Sequence, residues 1–137
     1  MTETPQEILN RLFQVRTCVL ATSTLDGKPQ AAYMYFVSDD KNNLYFKTFN
    51  DNRKYKNIKP NPKASVVIYE KPDYVQMDGL IEEVLGSEAE IAKRKLISKY
   101  GEDQEYQDKR LRFLMFKPTW IRVRINNKYP YKFEVLK

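Results

Sequence analysis

The sequence predicts one mainly β domain, an antiparallel barrel of about six or seven strands with helices on its flanks. Strand-like segments follow one another in runs, whereas a parallel sheet would alternate each strand with a helix. Short turns rich in Asp, Asn and Gly join several of these segments, as in hairpins. The 137 residues contain no repeat, low-complexity tract or linker, so we expect a single domain over residues 1–137.

The first half of the chain predicts a helix followed by three strands. Residues 4–7 (TPQE) have the pattern of a capping box with proline at the first helical position, and the helix is expected to end near Val15. Apolar residues in a period of two then favour strands over residues 17–24, 30–37 and 44–48. Because the turns between them are short, these strands are expected to form an antiparallel meander.

The second half predicts two helices and further strands. A short basic helix is expected to start at Asn52 and to stop before Pro60. Residues 87–90 (SEAE) have the pattern of a second capping box, which opens a helix that Gly101 ends. The other segments predict strands over residues 64–69, 74–84, 111–116, 121–125 and 131–136, with a bulge or bend at Gly79. Residues 111–116 have a helix end as the alternative, and residues 102–109 predict a loop or short helix.

The composition limits the chemistry that the side chains can perform. With no histidine and a single cysteine, the chain lacks the commonest general base and the commonest metal ligand. We therefore expect no metal site and no Ser-His or Cys-His catalysis, and Cys18, in an apolar run, is expected to be a buried, inert thiol. There is no apolar run of transmembrane length and no secretory signal, so we expect a cytoplasmic protein without a membrane segment.

One basic segment holds nearly all of the net charge. Of the formal charge of +6, residues 47–63 carry six Lys or Arg against one Asp, which gives +5. Arg53 and Lys54 would lie in the first turn of the predicted basic helix, where the helix dipole disfavours cations. A bound phosphate would remove that penalty, because helix N-termini and charge-assisted hydrogen bonds both favour anions. A solvated basic face on a surface helix is the alternative.

Several short motifs follow one another in a specific order. They are residues 20–22 (LAT), 26–29 (DGKP), 44–48 (LYFKT), 53–54 (RK), 57–58 (NI) and 61–66 (NPKASV). In this order they resemble the pyridoxamine 5′-phosphate oxidase-like family of flavin-binding split β-barrels, and in particular its small, uncharacterised members. The resemblance covers residues 8–84 and implies an antiparallel split β-barrel.

The resemblance also implies a cofactor, a partner and a set of binding residues. In that family FMN is bound at the interface of a homodimer. Lys47 and Thr48 match positions near the ribityl phosphate, while Asn52, Arg53 and Lys54 match the segment that clamps the phosphate. Other matching positions are Tyr33, Met34 and Tyr35, on the strand along the isoalloxazine edge, Gln76, facing the flavin, and Trp120, which is either near the partner's flavin or a core or interface aromatic.

The C-terminus departs from the family's vitamin B6 oxidases. Those enzymes end in a motif with Arg and His, whereas this chain ends NNKYPYKFEVLK and has no histidine. We therefore expect an FMN-dependent oxidoreductase that acts on another small molecule, with NAD(P)H as a candidate electron donor. The catalytic residues, if any, are not specified.

Other functions compete with this hypothesis. One is a non-catalytic flavin carrier, or a relative that holds a deazaflavin or haem. Haem is disfavoured because no histidine can serve as its axial ligand, with Tyr or Cys as the alternative ligands. Another is a nucleic-acid-binding barrel, which the basic pI of 9.3 would allow. Because the excess charge lies in one segment rather than along a groove, we expect no nucleic-acid partner.

Overall fold

The computed structural model of this protein describes residues 3–137. In this range the chain forms the strands β1 (Thr17–Ser23), β2 (Pro29–Tyr35), β3 (Val37–Ser38), β4 (Leu44–Phe49), β5 (Lys63–Glu70), β6 (Asp73–Val84), β7 (Leu111–Arg124) and β8 (Phe133–Val135). Its helices are α1 (Pro5–Leu12), α2 (Arg53–Ile58), α3 (Gly86–Tyr100) and a 3-10 helix (Gln104–Gln107). None of the helices in this range is long and apolar enough to cross a membrane.

All strands belong to one antiparallel sheet, in the order β2-β1-β5-β6-β7-β4-β3, with β8 beside β7. β2 and β3 stand at the two ends of this order, although only Phe36 separates them in sequence. The sheet therefore curls until its ends meet, and the predicted antiparallel split barrel is confirmed. The predicted three-stranded meander needs a correction. The single strand expected over residues 30–37 is divided at Phe36 into β2, which pairs with β1, and β3, which pairs with β4.

Two side chains at the end of α3 hydrogen-bond to the backbone of Phe36, where the strand divides. The backbone N–H of Phe36 donates to the Tyr100 hydroxyl (3.0 Å), and its carbonyl accepts from Nζ of Lys99 (2.9 Å). The same Nζ donates to the carbonyls of Phe13 (3.1 Å) and Val15 (2.7 Å), just after α1. These bonds satisfy backbone groups that α1 and the divided strand leave without partners. We call Lys99, Tyr100 and the backbone groups that they bind the Phe36 clasp.

Large apolar side chains fill the barrel. Every second residue of β1 is buried, and Phe36, Phe46 and Phe116 are fully enclosed in the core. Cys18 is buried among them, and this burial raises the pKa of its thiol to about 12. The predicted burial of Cys18 is therefore confirmed. A thiol that stays protonated is a poor nucleophile, which agrees with the expected inertness.

β7 is one continuous strand where the sequence predicted two. It runs through Pro118, which pairs with Gly79 of β6 at a register shift between the two strands. A Cβ at Gly79 would collide with the carbonyl oxygen of Lys117, so glycine is required where the strands come this close. The predicted bulge at Gly79 is confirmed, whereas the interruption predicted after residue 116 was wrong because the bulge accommodates the proline.

The two predicted capping boxes have opposite outcomes. The first is confirmed, since the Thr4 hydroxyl accepts from the Glu7 N–H (3.1 Å) and the Glu7 carboxylate accepts from the Thr4 N–H (2.9 Å). This helix, α1, ends at Leu12, earlier than predicted. The second was wrong: α3 begins at Gly86, so Ser87 lies inside its first turn and caps no N–H.

Candidate functional site

A cleft of about 220 Å³ opens at the split of the barrel, between the end strand β2 and the end of β4. Strands β2, β4 and β7, the first turn of α2 and the 3-10 helix contribute its walls. The lining residues are Tyr33, Met34, Tyr35, Lys47, Thr48, Phe49, Asn52, Lys54, Glu105 and Leu111. Seven of the ten binding residues expected from the resemblance therefore line one cleft, although they come from separate parts of the chain.

Polar contacts fix how α2 presents its first turn to the cleft. The Tyr55 hydroxyl donates to a carboxylate oxygen of Glu83 on β6 (2.8 Å). Two residues further on, the buried Asn57 side chain donates to the Thr22 hydroxyl of β1 (3.3 Å). Since these bonds attach the helix to two strands of the barrel, the first turn has a fixed position beside the cleft.

The first turn of α2 has no side-chain cap. Asn52 occupies the N-cap position, but its side-chain amide donates to the buried Thr48 hydroxyl (3.0 Å) instead of accepting from the helix. Among the described residues, no acceptor bonds the backbone N–H groups of residues 53–55. The helix therefore directs three free donors and the positive end of its dipole toward its surroundings.

Two cations of this turn differ in their position. Lys54 lines the cleft and is half-buried, and burial lowers the pKa of its ammonium group. No carboxylate forms an ion pair with Lys54 within residues 3–137. Arg53 is exposed and lies beside the cleft rather than in its wall. The turn thus combines free N–H groups with a desolvated and unneutralised charge, an arrangement that favours an anion.

Lys47 is less available than the sequence predicted. Its Nζ lies 3.0 Å from a carboxylate oxygen of Glu105 and 3.5 Å from one of Asp103, and 4.2 Å from the ring centroid of Tyr106. Burial acts to lower the pKa of Lys47, but the neighbouring carboxylates outweigh it and raise the pKa. Lys47 keeps its proton, and its charge is already balanced by the 3-10 helix.

Gln76 and Trp120 do not reach the cleft of their own chain. Both lie on the outer face of the sheet, where strand register places Tyr33, Val19, Val67 and Gln76 in one transverse row. Three strand spacings separate Gln76 from Tyr33 along the sheet, about 14 Å. Trp120 lies on the next strand, β7, and outside this row, because it pairs with Asp78. Neither residue lines the cleft of its own chain, so their cofactor contacts stay a prediction.

Sequence reasoning missed part of the cleft wall. Phe49, Glu105 and Leu111 line it, and a second cavity of about 190 Å³ adjoins it at Tyr35, Lys47 and Glu105. The polar stretch over residues 102–109 was predicted only as a loop or short helix. Its acidic residues gave no sign that they pair with a lysine of β4.

A larger groove of about 570 Å³ lies on the outer face near Gly79. Small side chains such as Ala21 and Ser65 form its floor, and the Ser65 hydroxyl donates to the Asp78 carboxylate (2.6 Å). The groove is lined by one cation, Lys63, and one carboxylate, Asp78, whereas the smaller cleft has two lysines against one glutamate and lies beside the free N–H groups of α2. The groove is therefore the poorer phosphate site.

Comparisons with known proteins agree with this architecture. A family model described as pyridoxamine 5′-phosphate oxidase matches residues 2–125. A candidate pyridoxamine 5′-phosphate oxidase from Listeria innocua is 25% identical, with 88% of this chain and 98% of that chain covered and a TM-score of 0.70. No curated protein sequence matches the chain.

Two further solved structures share the fold. An F420 reductase is 24% identical, over 82% of this chain and 94% of that chain, with a TM-score of 0.67. The haem storage protein HutZ from Vibrio cholerae is 20% identical, over 86% and 91%, with a TM-score of 0.72. The family match, which spans nearly the whole sequence, shows that this chain belongs to the pyridoxamine 5′-phosphate oxidase family.

Proposed function

We propose that this protein is a flavoprotein that binds FMN in the cleft and acts as an oxidoreductase on a small molecule. The observation that carries the proposal is Lys54, a half-buried cation that no carboxylate neutralises among the described residues, at the uncapped start of α2. Bound FMN would supply the electron transfer, which suits a chain without histidine and with its cysteine buried.

The phosphate end of FMN fits the donors of the first turn. The free N–H groups of residues 53–55 would bind phosphate oxygens, and Lys54 and Arg53 would balance the charge. Three or four charge-assisted bonds of ~1.5–3 kcal/mol each would suffice for micromolar affinity. The cleft is smaller than the ~300–1,000 Å³ that ligand pockets usually have. One chain would therefore hold the phosphate, while the ring would extend along β2.

A second copy of the chain would cover the flavin ring. The outer face of the sheet exposes an unusual number of aromatic side chains, with Tyr33 81%, Tyr35 53% and Tyr69 60% exposed. An apolar face of this kind fits an interface between two copies related by a twofold axis. In such a homodimer, Gln76 and Trp120 of one chain would approach the cleft of the other.

Titration with FMN tests the phosphate site. We expect the purified protein to bind FMN and to show the two visible absorption bands of a flavin. The double variant Arg53→Ala/Lys54→Ala should remain folded and lose at least about a hundredfold in affinity, since it removes two charge-assisted contacts.

A matched control separates local from general charge effects. Lys41→Ala/Lys56→Ala removes the same charge from exposed positions that line no part of the cleft, so it should retain wild-type affinity. If the Arg53/Lys54 variant still bound FMN stoichiometrically, the phosphate site would have to lie elsewhere.

The oligomeric state tests the second part of the proposal. Val67 lies in the middle of the outer-face row and is 37% exposed. Val67→Arg should convert a dimer into a monomer in sedimentation experiments and weaken FMN binding. Ile91→Arg, on α3 and similarly exposed at 40%, should change neither property. A wild-type protein that sediments as a monomer with FMN bound would contradict the shared site.

A non-catalytic carrier is the second candidate, because a haem storage protein shares the fold. An F420 reductase shares it too, so the cofactor could differ from FMN whether or not the protein is catalytic. Titration with a deazaflavin and with haem, beside FMN, identifies the cofactor. Adding NADH or NADPH to the FMN complex without oxygen then tests for catalysis. Bleaching of the flavin bands supports an oxidoreductase, and an unchanged spectrum favours the carrier.

A further inference from the structure

Gln76 has one neighbour that fixes the orientation of its side-chain amide. On the outer face, Nη2 of Arg122 on β7 donates to Oε1 of Gln76 on β6, its direct cross-strand partner. A guanidinium group has only donors, so the oxygen of the amide must point to Arg122. The Nε2 group then points away from Arg122, and it has no acceptor among the described residues.

Aromatic rings rather than a carboxylate hold Arg122. Its guanidinium carbon lies 4.4 Å from the ring centroid of Phe133 and 5.7 Å from that of Trp120. Within residues 3–137 no acidic side chain forms an ion pair with Arg122, and its Nε is buried without a partner. The charge is therefore kept beside Gln76 by cation–π contacts and is not neutralised.

We infer that Arg122 is a positioning residue for the flavin: it turns the Gln76 amide so that Nε2 donates to an acceptor on the polar edge of the ring bound by the partner subunit. This inference rests on the proposed function. It also gives Trp120 a role, as part of the aromatic wall that orients Arg122. The uncompensated charge would favour the reduced flavin, which carries more negative charge than the oxidised form.

Arg124 offers a matched control on the same strand. It faces the same side, and its guanidinium carbon lies 4.8 Å from the ring of Tyr131 and 5.2 Å from that of Tyr74. Its Nε is likewise buried without a partner in the described part of the chain. Its Nη2, however, donates to the Pro72 carbonyl and not to a side-chain amide. The two arginines differ chiefly in what they orient.

The first experiment tests the orientation without any flavin. In NMR spectra of the cofactor-free protein, Arg122→Met should move the Gln76 Cδ and Nε2 resonances, because the carbonyl oxygen loses its donor. Arg124→Met should leave both resonances in place. Unchanged Gln76 resonances in Arg122→Met would overturn the inference at its first step, whether or not the protein binds FMN.

The second experiment tests the consequence for the cofactor. Arg122→Met should weaken FMN binding about five- to tenfold, as expected for one lost hydrogen bond, and lower the midpoint potential of the bound flavin. Arg124→Met should change neither. Because Arg122 acts through Gln76, adding Arg122→Met to Gln76→Leu should cause little further loss of affinity.

The outcomes separate this inference from the proposed function. If wild type binds FMN and Arg122→Met binds it equally well at an unchanged potential, the role of Arg122 is refuted and the FMN site stands. If the Arg122 and Gln76 effects simply add, Arg122 does not act through Gln76. If wild type binds no FMN, the proposed function itself fails.

Discussion

Two half-buried lysines, Lys99 and Lys54, have the same chemistry and opposite surroundings. Burial lowers the pKa of both side chains. Lys99, in the Phe36 clasp, donates to three backbone carbonyls. Lys54, in the cleft, has no acceptor among residues 3–137. The difference indicates that Lys99 serves the fold, whereas the unpaired Lys54 supports the proposed anion site.

The comparison also explains why the charge count of a segment is an incomplete guide to an anion site. Lys47 contributes to the basic segment as much as Lys54 does, yet Glu105 and Asp103 already balance it. A cation attracts a ligand to the extent that its own protein leaves it desolvated and unpaired. By this criterion Lys54 is the principal cation of the cleft wall.

The largest expected effect comes from removing the clasp. Lys99→Met should lower the free energy of unfolding by ~2–4 kcal/mol, since three carbonyls lose a charged donor. Urea unfolding monitored by circular dichroism measures it. Lys54→Met, the matched change in the cleft, should alter stability by less than ~0.5 kcal/mol. Equal losses of stability in the two variants would remove the distinction between the lysines.

A smaller effect, on FMN affinity, should follow from removing an ion-pair partner of Lys47. Glu105→Gln removes one of its two carboxylates and should strengthen FMN binding about threefold, near the upper range of an exposed ion pair. Isothermal titration at low and high salt measures the gain, which should shrink as salt rises. Glu102→Gln makes the same change of net charge at an exposed residue outside the cleft and serves as the control. Weaker binding by Glu105→Gln would mean that this carboxylate itself contacts the ligand.

The smallest effect concerns pH. Burial lowers the pKa of Lys99 to about 8, from an ordinary value of 10.5. Between these values the unfolded chain binds more protons than the folded one, so stability attributable to Lys99 should rise with pH. Because Lys99 is only half-buried, the gain should be a fraction of the ~1.4 kcal/mol per pH unit of full linkage. The measurement is the difference in unfolding free energy between wild type and Lys99→Met. This difference should rise from pH 8 to 10.5, and a fall over the same range would contradict the prediction.

The sequence predicted well those features whose causes lie within a few residues. The capping box of residues 4–7, the alternation of β1 and the bulge at Gly79 are each encoded locally. The cations in the first turn of α2 were likewise evident without coordinates, because they contradict the local preference of a helix start.

Features that depend on distant partners were predicted less well. The continuity of β7 through Pro118 depends on Gly79 in another strand, and the neutralisation of Lys47 depends on Glu105, far along the chain. Seven of the residues that the resemblance implied line one cleft, since neighbouring strands bring them together, and their role in binding stays a prediction. It could not show that Gln76 and Trp120 lie three and four strands away from Tyr33, because that depends on the order of the strands in the sheet.

The division of the strand at Phe36 leaves β2 at the end of the sheet, with β1 as its one partner. In the described residues its other edge pairs with no strand, so this edge has unpaired main-chain polar groups, and residues 33–35 of the same strand line the cleft. Every amino acid except proline supplies the same amide there. The side chains of this strand can thus diverge widely without removing those donors, which would let related proteins change what the cleft accepts while its backbone continues to bind in the same way.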